Sequence, residues 1–320
     1  MEVIKIKKCV VTGGAGFIGS HLLDVLVQRD CEVIVADNLF TGKIENIKRH
    51  LQTPTVKFFN ISILSDNLST VFSDADVVFH LAAIPRIRYS TKYPLITNKV
   101  NVEGTLNVLE AVRKSNVERV VFSSSSSVYG PQPILPLKED MEPNPISHYA
   151  VQKLIGEKYM QLYGELYGIK TIILRYFNVY GPRDDPKIWP PRLIPKTIYE
   201  LINDKQPIVY GNGKQSRDFT YVKDVVDATL MAAEAKEENL YNYPINVGTG
   251  ISTTVMDVLE LINNFLNKKM NPIFKKKLEE PPHTQADTRK AGIVMGWSHQ
   301  TDLSKGIEST INWIMKTYKN

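Results

Sequence analysis

Short apolar runs bounded by polar and turn residues recur along the first half of the chain: Lys8-Cys9-Val10-Val11-Thr12, Glu32 to Ala36, Val56 to Phe59, Val77 to Leu81, Val120 to Phe122 and Thr171 to Leu174. Consecutive apolar positions over so short a span fit strands buried on both faces. Between them lie segments with apolar residues three and four apart, the spacing of one helical face. This alternation predicts an α/β fold built on a doubly wound parallel sheet with right-handed crossovers. Such sheets bind ligands beyond the carboxyl ends of their strands. The segments expected to line that groove are therefore Asn60-Ile61, Ala82-Ala83-Ile84, Ser123 onward, and Arg175 to Asn178.

After Gly181-Pro182-Arg183 the pattern loosens. A proline-rich stretch, Trp189 to Leu193, precedes a helix to about Asn203 and short strands near Ile208-Val209-Tyr210 and Phe219-Thr220-Tyr221. Amphipathic helices follow over about 222–236 and 253–266, with a last one from Asp302. The predicted organisation is a dinucleotide-binding domain over 1–180 and a smaller, discontinuous mixed α/β lobe over 181–320. Segments near 222–250 are expected to return to the sheet.

Composition narrows this only a little. The chain has 320 residues, 43% apolar and 23% charged, with a net charge of +5. Its basic residues are interspersed with acids, as in Lys275-Lys276-Lys277 followed by Glu279-Glu280, which argues against a nucleic-acid stripe. The two cysteines, Cys9 and Cys31, have no metal-ligand spacing around them, and no metal site is expected. No apolar run has the length of a membrane span or a signal peptide, so a cytoplasmic protein without membrane contact is expected.

Two local patterns carry chemistry. The first strand runs into Gly13-Gly14-Ala15-Gly16-Phe17-Ile18-Gly19, whose glycines at 13, 16 and 19 suit a tight turn, a close backbone approach and close helix packing around a pyrophosphate. The next strand ends in Asp37, 18 residues after Gly19, where an acid can hold adenosine ribose hydroxyls. That carboxylate would repel a ribose phosphate, which favours NAD over NADP. The second pattern joins Ser123 to Ser127, at the end of a predicted strand, to Tyr149 and Lys153, which lie four apart on one face of a helix capped by Ser147. An ammonium beside a phenol favours the phenolate and brings it toward the working range of a proton carrier. Arg217 and Arg289 are candidates for holding a diphosphate.

Together these motifs resemble the extended short-chain dehydrogenase/reductase family, and within it the UDP-sugar 4-epimerases. The resemblance runs through Thr12 to His21, Asp37-Asn38, His80 to Ala83, Asn101 to Thr105, the serine run ending Val128-Tyr129-Gly130, Tyr149 to Lys153, Arg175 to Arg183, Arg217-Asp218-Phe219 and Ala286-Asp287. It implies a Rossmann-like sheet holding NAD through turnover. Besides the glycines and Asp37, it implies cofactor contacts from Phe17, Ile18, Asn38, Thr41 and Gly42; from Asn60, Ile61, Leu81, Ala82 and Ala83; and from Asn101, Ser123 and Tyr176, with Tyr149 and Lys153 at the nicotinamide ribose. Tyr149 would move the proton of the sugar 4-hydroxyl, and Ser125 would bond the 4-oxygen, with Ser126 and Ser127 able to share that duty. Asn178, Leu193, Tyr210 and Arg217 would hold the nucleotide.

Two departures from the resemblance stand out: Asn60 replaces an aspartate that reads the adenine, and Lys277 replaces a second diphosphate arginine. Dehydratase and decarboxylase relatives place acids where this chain has Ser126 and Ser127, so elimination is not expected. Thr284 occupies a position where a large aromatic crowds an N-acetyl group in some relatives. Its small side chain predicts that UDP-GlcNAc and UDP-GalNAc are accepted beside UDP-glucose and UDP-galactose. Arg86 or Arg88 would suit a uronate carboxylate, the runner-up substrate class, although loop arginines by default face solvent. A non-catalytic NAD- or RNA-binding protein on the same fold is the remoter alternative. The resemblance also implies a homodimer pairing the helix from Tyr149 with the one over about Val102 to Ser115.

Overall fold

A computed structural model describes residues 4–236 and 240–318. Strands β1 (Lys8–Thr12), β2 (Glu32–Asp37), β3 (Val56–Asn60), β4 (Val77–His80), β5 (Arg119–Ser125) and β6 (Lys170–Tyr176) come first, with helices α1 (Phe17–Gln28), α2 (Leu68–Phe72), α3 (Ile87–Lys92), α4 (Pro94–Asn98), α5 (Gly104–Lys114) and α6 (His148–Tyr167). The remainder comprises α7 (Leu193–Ile202), β7 (Ile208–Tyr210), β8 (Ser216–Arg217), α8 (Val222–Glu234), β9 (Pro244–Val247), β10 (Thr253–Thr254), α9 (Val255–Phe265), β11 (Ile273–Lys275), α10 (Arg289–Met295) and α11 (Leu303–Tyr318).

Seven strands form one parallel sheet in the order β3-β2-β1-β4-β5-β6-β9. Side chains alternate across it. Cys9, Val11, Val33, Val35, Val77, Phe79 and Val121 pack on the face covered by α1 and α8, whereas Val10, Ile34, Val78, Val120 and Phe122 pack on the face covered by α2, α5 and α6. The two buried faces explain why these strands read as unbroken apolar runs. The strand order reverses between β1 and β4, and the crevice at that switch point is where this architecture accommodates a ligand. The doubly wound prediction is therefore met, with α8 lying on the sheet and β9 pairing with β6.

The segment expected to form a smaller lobe contains α7, α9 and two short pairs, β7 with β11 in parallel and β8 with β10 antiparallel. The strand expected over Phe219 to Tyr221 does not form; Tyr221 makes a single bridge to Tyr180 and then caps α8. Helix α1 begins at Phe17, directly after Gly16 at its N-cap position, so that Gly19 lies within its first turn. Helix α6 begins where Ser147 Oγ accepts the Ala150 amide at 3.2 Å and stops at Gly168 in the left-handed region. Its buried side carries Tyr149, Gln152, Lys153, Gly156 and Glu157. A Cβ on Gly156 would stand 2.6 Å from the Phe122 ring, so glycine lets α6 close on β5 and brings its polar side chains to the strand end.

Candidate active site

A groove of about 740 Å³ runs across the carboxyl ends of β1, β4, β5 and β6 and on beneath the smaller lobe. That size is ordinary for a small-molecule site. Its floor at one end is the glycine turn. Gly13 has φ +73, and a Cβ there would lie 2.8 Å from the Ala82 amide nitrogen, so the turn is locked against the end of β4. A Cβ at Gly16 would meet protein only at the Gly13 carbonyl oxygen, 3.0 Å away, which leaves its remaining side to the groove. This cradle lies at the start of α1, whose first-turn amides have no partner within the helix and can serve a pyrophosphate. Asp37 also borders the groove; its carboxylate accepts the Ala15 amide at 3.0 Å and the Leu39 amide at 2.8 Å. Burial pushes its pKa up, and those two amides oppose the rise. The residues present thus fit a dinucleotide: a glycine cradle for phosphates, an acid at the end of the second strand, and apolar walls from Phe17, Ile18, Ile61 and Leu81.

Three of the residues expected at the cofactor do not line the groove. Asn101 is buried behind it, where its carbonyl accepts the Ile84 amide at 2.8 Å and its amide donates to Ile84 O and to Gln152 Oε1. It braces the loop that follows β4. Gly42 packs on the Asp37 carboxylate, which a Cβ would approach to 2.9 Å. Asn60 ends β3 in register with Asp37 and is exposed. Thr41, Asn38, Ala82, Ala83, Ser123 and Tyr176 do line it. Behind β4, Thr105 donates to Asn101 O, so its oxygen is left to accept from His80 Nε2; Nδ1 then accepts from Thr12. Burial, then the Lys153 cation, depresses His80 to about 3, which keeps this ring neutral.

The serine run is resolved by strand geometry. β5 continues through Ser125, so successive hydroxyls point to opposite faces. Ser123 donates to His80 O at 3.2 Å. Ser124 turns to the other side and donates to Glu157. Ser125 lines the groove together with Tyr149, where it favours the phenolate, and accepts the Ser127 amide at 3.2 Å. Lys153 Nζ donates to Ser123 O at 2.6 Å and stands over the Phe122 ring. The structure corrects one expectation here. Burial raises the Tyr149 pKa, and the groups opposing that rise are Ser125, Arg192 and Arg86. Lys153 directs its ammonium at a carbonyl, and burial lowers its own pKa to about 7, with Glu157 acting to keep it charged. Glu157 is in turn gripped by Arg175 through two bonds of 2.9 and 2.7 Å, both side chains only 3% exposed.

Toward the smaller lobe, Asn178 donates to Asp218 O at 3.0 Å, and Thr284 lies within reach of Asn178 and the Asp218 amide. Leu193, Tyr210, Ser126, Arg217 and Thr284 all face the groove. Arg217 is held by Glu280 at 3.0 Å. Lys277 is exposed and lies outside the groove wall, and Arg289 is a surface side chain paired with Asp287, so neither expected diphosphate role has a place at the groove.

Arg86, by contrast, is buried in the groove wall and does not face solvent, because Asp184 reaches it from the loop after β6. Arg88 is exposed and leans over Trp189 and Tyr210. The loop carrying Asp184 deals three consecutive charges to four partners: Arg183 to Asp24 on α1, Asp184 to Arg86 and Arg192, and Asp185 to Lys43.

The model of the NAD dependent epimerase/dehydratase family matches residues 9–248. The chain belongs to that family. It is 40% identical over 309 residues to a putative UDP-glucose 4-epimerase of Methanocaldococcus jannaschii, covering 95% of this chain and 97% of the relative. Among solved structures it resembles the UDP-N-acetylglucosamine 4-epimerase of Methanobrevibacter ruminantium in complex with UDP-N-acetylmuramic acid, with 36% identity, a TM-score of 0.93, and 98% and 100% of the two chains covered. It equally resembles the UDP-glucuronic acid 4-epimerase of Bacillus cereus with UDP-glucuronic acid and NAD: 35% identity, TM-score 0.92, coverage 97% and 100%.

In this family member, sequence reasoning overlooked Glu157, Asp184 and Arg192. Glu157 carried a readable signal, since it lies four residues beyond Lys153 on the buried side of the same helix. Asp184 and Arg192 carried none; they meet Arg86 only through the tertiary fold.

Proposed function

We propose that the chain is an NAD-dependent UDP-sugar 4-epimerase, acting on UDP-glucose/UDP-galactose and on the N-acetylated pair. The observation that carries this reading is that Tyr149, Ser125 and Lys153 line the same groove that holds the glycine cradle at one end and Asn178, Arg217 and Thr284 at the other. Bound NAD supplies the acceptor and donor of a hydride at C4. Tyr149 takes the proton from the 4-hydroxyl and gives it back, and Ser125 steadies the 4-oxygen by a hydrogen bond. Lys153, anchored on the Ser123 carbonyl, orients the ribose side. The remaining groove residues fix the nucleotide while the sugar presents either face, which makes orientation the protein's main contribution.

A small Thr284 at the groove wall supports room for an N-acetyl group. UDP-uronic acids are the second reading, supported by the cationic wall of Arg86 and Arg192 and by the likeness to the Bacillus cereus protein. The test is incubation with UDP-hexoses, UDP-N-acetylhexosamines and UDP-uronic acids without added reductant, with C4 configuration read by NMR. Inversion of the hexose or N-acetylhexosamine pair is expected. Absence of inversion in every class would overturn the epimerase assignment.

A further inference from the structure

We propose that Arg86 is a positioning residue for proton transfer: its buried, under-paired guanidinium supplies the charge that favours the phenolate of Tyr149. This rests on Tyr149 as the acid–base group of an epimerase.

Arg86 is 8% exposed and immediately precedes α3. A guanidinium carries five N–H donors, yet its carboxylate contact is a single 3.5 Å approach to Asp184, and its Nη1 has no partner. Arg192 takes the same Asp184 oxygen at 2.6 Å. Arg175 also has an Nη1 without a partner, but two short bonds join it to Glu157, and the lack of such a two-bond pairing is what sets Arg86 apart. Two cations sharing one anion leave an excess positive charge in a wall where Arg86 is 8% exposed and Arg192 30%. Burying charge so poorly compensated is unfavourable, and a group kept under such conditions points to a use.

Tyr149 is where the charge is felt. Helix α3 is tied to the start of α6 because Ser90 Oγ accepts the Tyr149 amide at 3.1 Å. The other charged and titratable groups around the phenol leave few alternatives. On α6 itself, Lys153 is engaged with Ser123 O and lowered by burial to about 7, so its charge is partial near neutrality. Glu157 is neutralised by Arg175 from β6. From β4, His80 is uncharged. From the loop after β6, Asp184 is the opposing anion, and from the start of α7 Arg192 adds to Arg86. Burial and the neighbouring Arg192 press against the charge of Arg86 and Asp184 acts to keep it; a guanidinium holds its proton across the range in which proteins are titrated.

The experiment titrates the phenol directly, by its ultraviolet phenolate absorbance as a difference against Tyr149→Phe in each background, alongside the pH profile of kcat/KM. In Arg86→Gln the phenol is expected to titrate about one pH unit higher. The acid limb of the rate profile should follow it, giving about a tenfold loss below the limb and recovery at high pH. Arg86→Lys, which keeps the charge, should restore most of the shift. If Arg86→Gln does not fold by circular dichroism, Arg192→Gln carries the test and must move the phenol upward. An unmoved titration with a uniform loss of rate overturns the proposal, as does a loss confined to UDP-sugars bearing a carboxylate. Should the wild type invert no UDP-sugar, the epimerase reading fails while the spectroscopic titration still decides the effect of Arg86.

Discussion

Glu157 lies one helical turn beyond Lys153 on the buried side of α6 and is the carboxylate that holds the Lys153 ammonium charged against burial. The opposition has a measurable sign. Lys153 sits at about 7 in the folded chain against an ordinary 10.5, so across that interval the folded state binds fewer protons than the unfolded one. Stability therefore rises with pH through the interval. Lys153→Met removes the dependence: it should be more stable than the wild type below pH 7 by on the order of 2–4 kcal/mol, allowing for the lost bond to Ser123 O. That advantage should fade as pH climbs toward 10.5, and urea unfolding across the range reads it.

Gly13→Ala places a methyl against the Ala82 amide at a backbone angle that disfavours any side chain. The expected cost is at least about 1–2 kcal/mol, because both the turn and the end of β4 must give way. A lowered melting temperature together with loss of copurifying NAD, read by absorbance after denaturation, is the outcome.

Thr284→Tyr fills the groove wall beside Asn178. Turnover of UDP-GlcNAc should fall relative to UDP-glucose by roughly 10–200-fold, the range over which a pocket rejects a group it has no room for. Competition kinetics with both sugars present checks this, and an unchanged preference would remove Thr284 from the specificity argument.

On α6, Val151, Leu162 and Leu166 are exposed apolar side chains along one side, with Leu95 of the neighbouring α4. Such a patch suits a two-fold helix pairing between copies of the chain. Light scattering should give a dimer for the wild type and a monomer for Val151→Glu/Leu166→Glu, with the circular dichroism spectrum preserved.

What could be read before folding was whatever lies close in sequence. The glycine turn, the acid ending β2, and the Tyr149/Lys153 pair each depend on spacing within one or two elements, and each borders the groove. Residues whose place depends on distant packing were misread. Asn101 braces a loop from behind the wall, Lys277 stays outside, and Arg86 was expected in solvent because nothing near it in sequence foretells Asp184, 98 residues on. The direction of the Tyr149 shift was missed for the same reason: burial is a property of the whole wall, whereas an i, i+4 lysine is visible on paper.

The tract Ser123–Ser127 is repetitive in letters only, since Ser123 addresses a carbonyl and Ser124, on the other face of β5, a carboxylate, while Ser125 lines the groove with Tyr149. Deleting any one serine gives the same four-serine chain, so β5 keeps a serine at 123, 124 and 125 and the loss falls on the turn Ser126–Tyr129, displacing the buried Val128 and Tyr129. The tract should thus tolerate a conservative exchange at one position far better than a change in its length.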